Sequence, residues 1–198
     1  MLKDMNVVAT GKMRDVALEI LRSKVTLHEW QKAGRRPEDE FNALLQEAEG
    51  LYSTGNIRID QSLLEKAPKL KVVAQASVGY DNIDVAACQA RGVRVGNTPG
   101  VLVDAVADLA YGLILDTARG IVRGFEHVKS GAWGERKGAG FGVDLANKTL
   151  GIIGLGAIGE AVAVRAKASK MRVVYYNTKQ RSDDEQLGVK YLEFDELL

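Results

Sequence analysis

Residues 149–159 read Thr-Leu-Gly-Ile-Ile-Gly-Leu-Gly-Ala-Ile-Gly, and Gly154, Gly156 and Gly159 form the spacing G-x-G-x-x-G. The string is a weak signal when it stands alone. Here a β-rich run, Thr149–Gly154, leads into it, a helix-length stretch, Ala157–Ser169, leaves it, and a second β-rich run, Arg172–Asn177, closes the unit. Strand, glycine turn, helix and strand in that order make the spacing a dinucleotide-binding fingerprint. Each glycine has its own task. Gly154 permits the tight turn off the strand, Gly156 lets backbone approach a pyrophosphate, and Gly159 lets the helix lie close to the sheet. Backbone N–H groups and the helix dipole then face the phosphates.

The end of the second strand bears on which dinucleotide fits. A carboxylate there would accept hydrogen bonds from the ribose 2′-OH of NAD. This chain has Asn177, Thr178, Lys179, Gln180 and Arg181 instead. The missing carboxylate and the two cations suit the 2′-phosphate of NADP. NAD remains open as the second choice.

The rest of the chain repeats the same alternation. Asn6–Thr10, Val25–Trp30, Gly50–Ser53, Leu70–Ala76 and Val93–Asn97 read as short buried strands. Lys12–Ser23, Pro37–Glu49 and Ile83–Ala90 read as helices, the last capped by Asp81 or Asn82. Such alternation predicts an α/β fold with parallel sheets covered by helices. After the breaker Thr98-Pro99-Gly100, Val101–Val122 reads as one long helix, apolar on most of its faces. A helix of that kind must be buried, in its own chain or against a partner. A boundary near Gly96–Gly100 divides the 198 residues into 1–98 and 99–198.

Composition removes other classes. Lys+Arg is 27 and Asp+Glu is 26, so the basic stripe of a nucleic-acid binder is not expected. The longest apolar stretches, Leu109–Leu115 and Leu150–Gly159, are too short to span a bilayer. One cysteine, Cys88, excludes an internal disulfide and favours a reducing compartment, so a cytoplasmic protein is expected.

Three stretches together carry a family likeness. Lys69–Asp84 (Lys-Leu-Lys-Val-Val-Ala-Gln-Ala-Ser-Val-Gly-Tyr-Asp-Asn-Ile-Asp), Val95–Pro99 leading into Asp104–Ala110, and the fingerprint at Thr149–Gly159 occur in order. In this the chain resembles the D-isomer-specific 2-hydroxyacid dehydrogenases, and within them the glyoxylate/hydroxypyruvate reductases. The resemblance implies a flavodoxin-like substrate domain followed by a Rossmann dinucleotide-binding domain. It also implies a homodimer formed through Val101–Val122. The implied reaction moves hydride between NAD(P)H and a small 2-oxo acid such as glyoxylate or hydroxypyruvate, giving the D-2-hydroxy acid.

By the same resemblance, Val78 and Gly79, with Ser77 on the same turn, would hold the substrate carboxylate. Leu155, Gly156, Ala157 and Ile158 would contact the pyrophosphate, and Asn177, Thr178 and Lys179 would lie at the adenosine ribose. Two positions depart from the family. Thr178 stands where NADP-using members often carry arginine, and Val103 stands where many carry threonine.

The family's catalytic arginine, glutamate and histidine lie downstream of the second Rossmann strand, so no catalytic residue is assigned here. His28 and His127 match no family motif, and Thr117-Ala-Arg-Gly120 precedes the fingerprint rather than following it. No Cys/His spacing suggests a metal. The expectation is the N-terminal portion of a longer enzyme, with a partial Rossmann domain and no turnover by itself. The alternative is a non-catalytic, dinucleotide-sensing regulator of corepressor type.

Overall fold

A computed structural model of the chain describes residues 3–30, 38–135 and 137–198. It divides into two compact units, Met1–Val101 and Leu102–Leu198.

The first unit is built from β1 (Asn6–Thr10), α1 (Asp15–Lys24), β2 (Thr26–Trp30), α2 (Glu38–Glu47), β3 (Gly50–Ser53), α3 (Gln61–Lys66), β4 (Val72–Gln75), α4 (Val85–Ala90) and β5 (Arg94–Gly96). The five strands pair in parallel in the order β2-β1-β3-β4-β5. That is the flavodoxin-like order. Side chains alternate across each strand, so consecutive residues serve opposite faces. Val8, Leu51 and Val73 pack with Leu45, Leu64 and Cys88 beneath α2, α3 and α4. Their neighbours Ala9 and Tyr52 pack with Leu18 beneath α1. Burial on both faces explains why these strands are apolar runs rather than alternating ones.

The second unit contains α5 (Val103–Arg119), α6 (Ile121–Lys129), β6 (Thr149–Ile153), α7 (Ala157–Ala168), β7 (Arg172–Tyr176), α8 (Asp184–Leu187), β8 (Lys190–Tyr191) and α9 (Phe194–Leu197). Its strands run parallel in the order β6-β7-β8. Read from the edge, 3-2-1 is one half of the Rossmann order. Ala107 and Tyr111 of α5 join Val162, Ala163 and Ala166 of α7 and Val173 and Tyr175 of β7 in one core. Arg165 ties α7 to α5 through Asp104 and Asp108. On the opposite face Phe194 of α9 meets Tyr176 at 5.3 Å, while Ile153 stays exposed.

Several expectations are corrected in detail. Val101–Val122 is not one helix. Gly120 takes the left-handed conformation (φ 63°), ends α5 and starts α6. Asp116 Oδ1 accepts the Val122 N–H at 2.7 Å and holds the break. Arg-Gly at 119–120 is a helix-stop signal that the apolar run conceals. Nor is α5 covered all round: Leu109 and Leu113 are 66% and 58% exposed. The cap of α4 is Asp84, which accepts the Ala87 N–H at 2.9 Å, rather than Asp81 or Asn82. The helix α3 was not expected, and Asp60 caps it by accepting from Leu63. The short helix α8 was likewise not expected. Pro37, expected at the start of α2, lies outside the described residues, as does Arg136.

Candidate dinucleotide site and carboxylate turn

The glycine turn forms where β6 hands over to α7. Gly154 has φ +96°, a conformation that L side chains rarely adopt. Its N–H donates to Tyr176 O at 2.9 Å, which keeps the turn on the sheet. A Cβ on Gly159 would lie 2.5 Å from Gly154 O, so only glycine lets α7 approach this closely. A Cβ on Gly156 would meet nothing within 4 Å. The space over Gly156 is therefore open on the side where α7 begins. Gly156 caps α7, a helix of 12 residues, with no side-chain cap bond. The first N–H groups of such a helix have no partner inside it, and they carry the positive end of its dipole. This arrangement fits a pyrophosphate: open space, free backbone donors and a favourable potential.

Leu155 is buried while Ile158 is exposed. The Leu155 N–H donates to Asn177 Oδ1 at 2.7 Å, so Asn177 turns into the glycine turn. Thr178 and Lys179 are exposed beyond it. Arg181 behaves differently from the free cation expected. Its Nε and Nη2 donate to Asp183 Oδ1 and Oδ2 at 2.8 and 2.7 Å. Its Nη1 donates to Leu155 O at 3.1 Å and lies 2.9 Å from Glu160 Oε2. The hydrogen bonds to Asp183 push the Arg181 pKa further up, and the same pair holds the Asp183 carboxyl below its usual range. Glu160 and Asp183 were not singled out in the sequence. Only the close approach of α7 to the loop after β7 joins them to Arg181.

In the first unit Ser77, Val78 and Gly79 follow β4. All three carbonyls of this turn are engaged. Thr98 N–H donates to Ser77 O at 3.1 Å. Asn97 Nδ2 donates to Val78 O at 2.8 Å. Ser77 Oγ and Gln75 Nε2 donate to Gly79 O at 2.7 and 3.3 Å. Gln75 Nε2 also reaches Ser77 Oγ and Asn82 Oδ1, at 2.9 and 2.8 Å. Asn82 Nδ2 donates in turn to Ile57 O at 2.9 Å. Gln75 is almost fully buried, and its Oε1 has no partner among the described residues. With its carbonyls tied down, the turn has its N–H groups left to offer. Gln75, Asn82 and Asn97 escaped the sequence reading, although polar residues at the ends of apolar strands were a visible signal.

The remaining candidates fall elsewhere. His28 lies on β2 with its Nε2 3.2 Å from Asn6 Oδ1. His127 lies in the last turn of α6 and meets the Trp133 ring edge-on, with centroids 6.4 Å apart. Arg119 pairs with Asp144 at 2.7 Å. Among the described residues no group of His, Cys, Asp and Glu could hold a metal ion, and no helix is long and apolar enough to cross a membrane.

A parallel sheet in flavodoxin order, followed by half a Rossmann sheet with a glycine turn, defines an α/β protein with the strand layout and turn of a dinucleotide-binding fold. Residues 7–187 match the family of D-isomer specific 2-hydroxyacid dehydrogenases, catalytic domain. The chain belongs to that family. It is 39% identical to a glyoxylate reductase from Pyrococcus horikoshii over 97% of its own length and 59% of the relative's. It superposes on a 2-hydroxyacid dehydrogenase from Ketogulonicigenium vulgare with a TM-score of 0.86 at 27% identity, covering 98% of this chain and 59% of that one. It also superposes on D-lactate dehydrogenase from Aquifex aeolicus, solved with NAD and lactic acid, with a TM-score of 0.80 at 29% identity; the coverage is 98% and 57%. The chain thus spans about three fifths of the length of these relatives.

Proposed function

We propose that this chain forms the substrate domain, residues 1–98, and the first part of the dinucleotide-binding domain, residues 99–198, of an oxidoreductase that reduces a small 2-oxo acid such as glyoxylate to the D-2-hydroxy acid. The single observation carrying this reading is the open space over Gly156 at the start of α7, with Gly159 packed against Gly154. When bound there, the nicotinamide dinucleotide supplies the hydride.

The chain's own residues bind and orient. The N–H groups of Gly156, Ala157 and Ile158 hold the pyrophosphate. Leu155, buried beneath the turn, keeps water from that side. Asn177 and Thr178 lie at the adenosine ribose. NADPH is the proposed cofactor, with Lys179 as the cation for its 2′-phosphate. The Val78 and Gly79 N–H groups, with Ser77 beside them, take the substrate carboxylate and leave the 2-oxo carbon exposed. No residue of this chain is assigned as the proton donor.

A second copy of the chain is the proposed partner. Leu109 and Leu113 on α5, and Val122 and Phe125 on α6, are exposed apolar side chains of the size that mark an interface.

The test is a titration of the chain with NADPH and NADH, followed by fluorescence. Saturable binding of NADPH, weakened in Lys179→Ala while NADH is unaffected, is the expected result. Binding of neither dinucleotide would sink the reading. With glyoxylate added, the amide resonances of Val78 and Gly79 are expected to shift. The 198-residue chain alone is expected to show no turnover with glyoxylate and NADPH.

A further inference from the structure

Arg181 sits where a basic side chain after the second strand would ordinarily be read as a phosphate ligand. Its surroundings in this chain say otherwise. All three guanidinium nitrogens are engaged: Nε and Nη2 by Asp183, and Nη1 by Leu155 O and Glu160. The side chain is 25% exposed. One cation faces two carboxylates, so the trio presents net negative charge to an approaching phosphate. The backbone is also anchored. Arg181 N–H donates to Tyr175 Oη at 2.9 Å. Tyr175 Oη and Gln180 Nε2 both donate to Asp184 Oδ2, at 3.2 and 2.7 Å.

The contact with Leu155 O has a directional consequence. In a planar trans peptide the C=O and the following N–H point in opposite directions. No peptide bond among the described residues is cis. Holding Leu155 O toward Arg181 therefore turns the Gly156 N–H away from it. On the other side of the residue, Asn177 holds the Leu155 N–H. The Leu155 backbone is gripped at both ends by the segment that follows β7.

We infer that Arg181 is a positioning residue: braced by Asp183 and Glu160, it sets the orientation of the Leu155–Gly156 peptide and so aims the Gly156 N–H for a pyrophosphate, and it does not bind the 2′-phosphate. The inference rests on the dinucleotide reading above and deepens it. Discrimination between NADPH and NADH is left to Thr178 and Lys179.

The experiment compares the 198-residue chain with Arg181→Lys, which keeps the charge but loses the planar fork. NADH and NADPH affinities are measured by titration, and amide hydrogen exchange at Leu155, whose N–H is held by Asn177, is followed in the ligand-free protein. Both dinucleotides are expected to weaken by about tenfold, the loss of one charge-assisted contact. The NADPH/NADH ratio is expected to stay constant, and exchange at the Leu155 amide to quicken. Asp183→Asn provides an independent variant should Arg181→Lys fold poorly. It loosens the brace and frees the cation. Positioning predicts weaker binding of both dinucleotides, whereas a phosphate ligand would bind NADPH more tightly.

Loss of NADPH binding with NADH retained, in Arg181→Lys, overturns the inference. So does unchanged exchange at Leu155. If the wild-type chain binds neither dinucleotide while exchange still quickens in Arg181→Lys, the brace exists but has no pyrophosphate to serve. The inference then falls with the dinucleotide reading, a pattern distinct from failure of the brace alone.

Discussion

Asn177 Oδ1 accepts the backbone N–H of Leu155 across the gap between β7 and the glycine turn, at 2.7 Å. Leu155 is 1% exposed, so water cannot replace that acceptor. Asn177→Ala should therefore destabilise the chain by about 1–3 kcal/mol, the cost of an unsatisfied buried donor. A urea melt checks this. Asn177→Asp keeps an acceptor for Leu155 and adds the carboxylate that a ribose 2′-OH prefers. It should move the preference toward NADH, read as the ratio of the two dissociation constants.

The second and third glycines of the fingerprint should separate folding from binding. Gly156→Ala places its Cβ in open space at a backbone conformation any residue adopts. Stability should change by less than about 1 kcal/mol, the ordinary scale of a glycine-to-alanine change. Dinucleotide binding should nevertheless fall sharply, because the methyl group fills the proposed pyrophosphate space. Gly159→Ala drives a Cβ into Gly154 O. That substitution should cost about 1–3 kcal/mol of stability. Parallel melts and titrations of the two variants distinguish these outcomes.

Acid should loosen the Arg181 brace within a defined window. Asp183 titrates below its ordinary value because Arg181 hydrogen-bonds its carboxylate. A depressed native pKa contributes stability that is whole above the ordinary carboxylate value. That contribution disappears as pH falls through the native one. Amide protection at Leu155 should thus be flat from neutral pH down to about pH 5 and decline below about pH 4. A decline centred near pH 6 would contradict this assignment.

Burial pushes the Cys88 thiol up, and the nearby Asp84 charge adds to the shift. The native chain should react slowly with a thiol reagent at pH 8 and quickly once denaturant is added. The raised native pKa also means that its contribution to stability is intact below the ordinary thiol range. It is lost as pH climbs through the native value. Fast labelling of the folded chain would contradict the buried placement.

The apolar face of α5 should govern assembly. Leu109→Glu combined with Leu113→Glu places two charges on side chains that are already exposed within the chain. The fold of one chain should survive, since neither side chain belongs to its core. Sedimentation should shift from dimer to monomer. A wild-type chain that sediments as a monomer at all concentrations would refute the proposed interface.

The parts of this protein legible in its sequence are those whose cause is local. β1 and β3 are found at their expected bounds because each is a short apolar run with breakers on both sides. The glycine turn is legible because strand, turn and helix are contiguous, and each glycine answers to a constraint from its own neighbourhood. The break at Gly120 was legible in principle from Arg119-Gly120, but the strength of the surrounding apolar run hid it. The short helix α3 carried too little periodicity to register.

Partner choice among polar groups required the tertiary structure. Asn177 and Arg181 look alike from sequence, two polar residues just past a strand and equally free to meet a ligand. The crossover from β6 through α7 to β7 brings Leu155 and Glu160 against them. It makes Asn177 an acceptor for the turn and Arg181 its brace. Gln75, Asn82 and Asn97 are likewise scattered in sequence and meet at one turn only once β4 and β5 lie side by side. Backbone conformation is set by neighbours along the chain, so sequence spacing alone determined the strands and the fingerprint. Hydrogen bonds depend on distance and direction in space, and only packing decided which groups remain free for a cofactor or substrate.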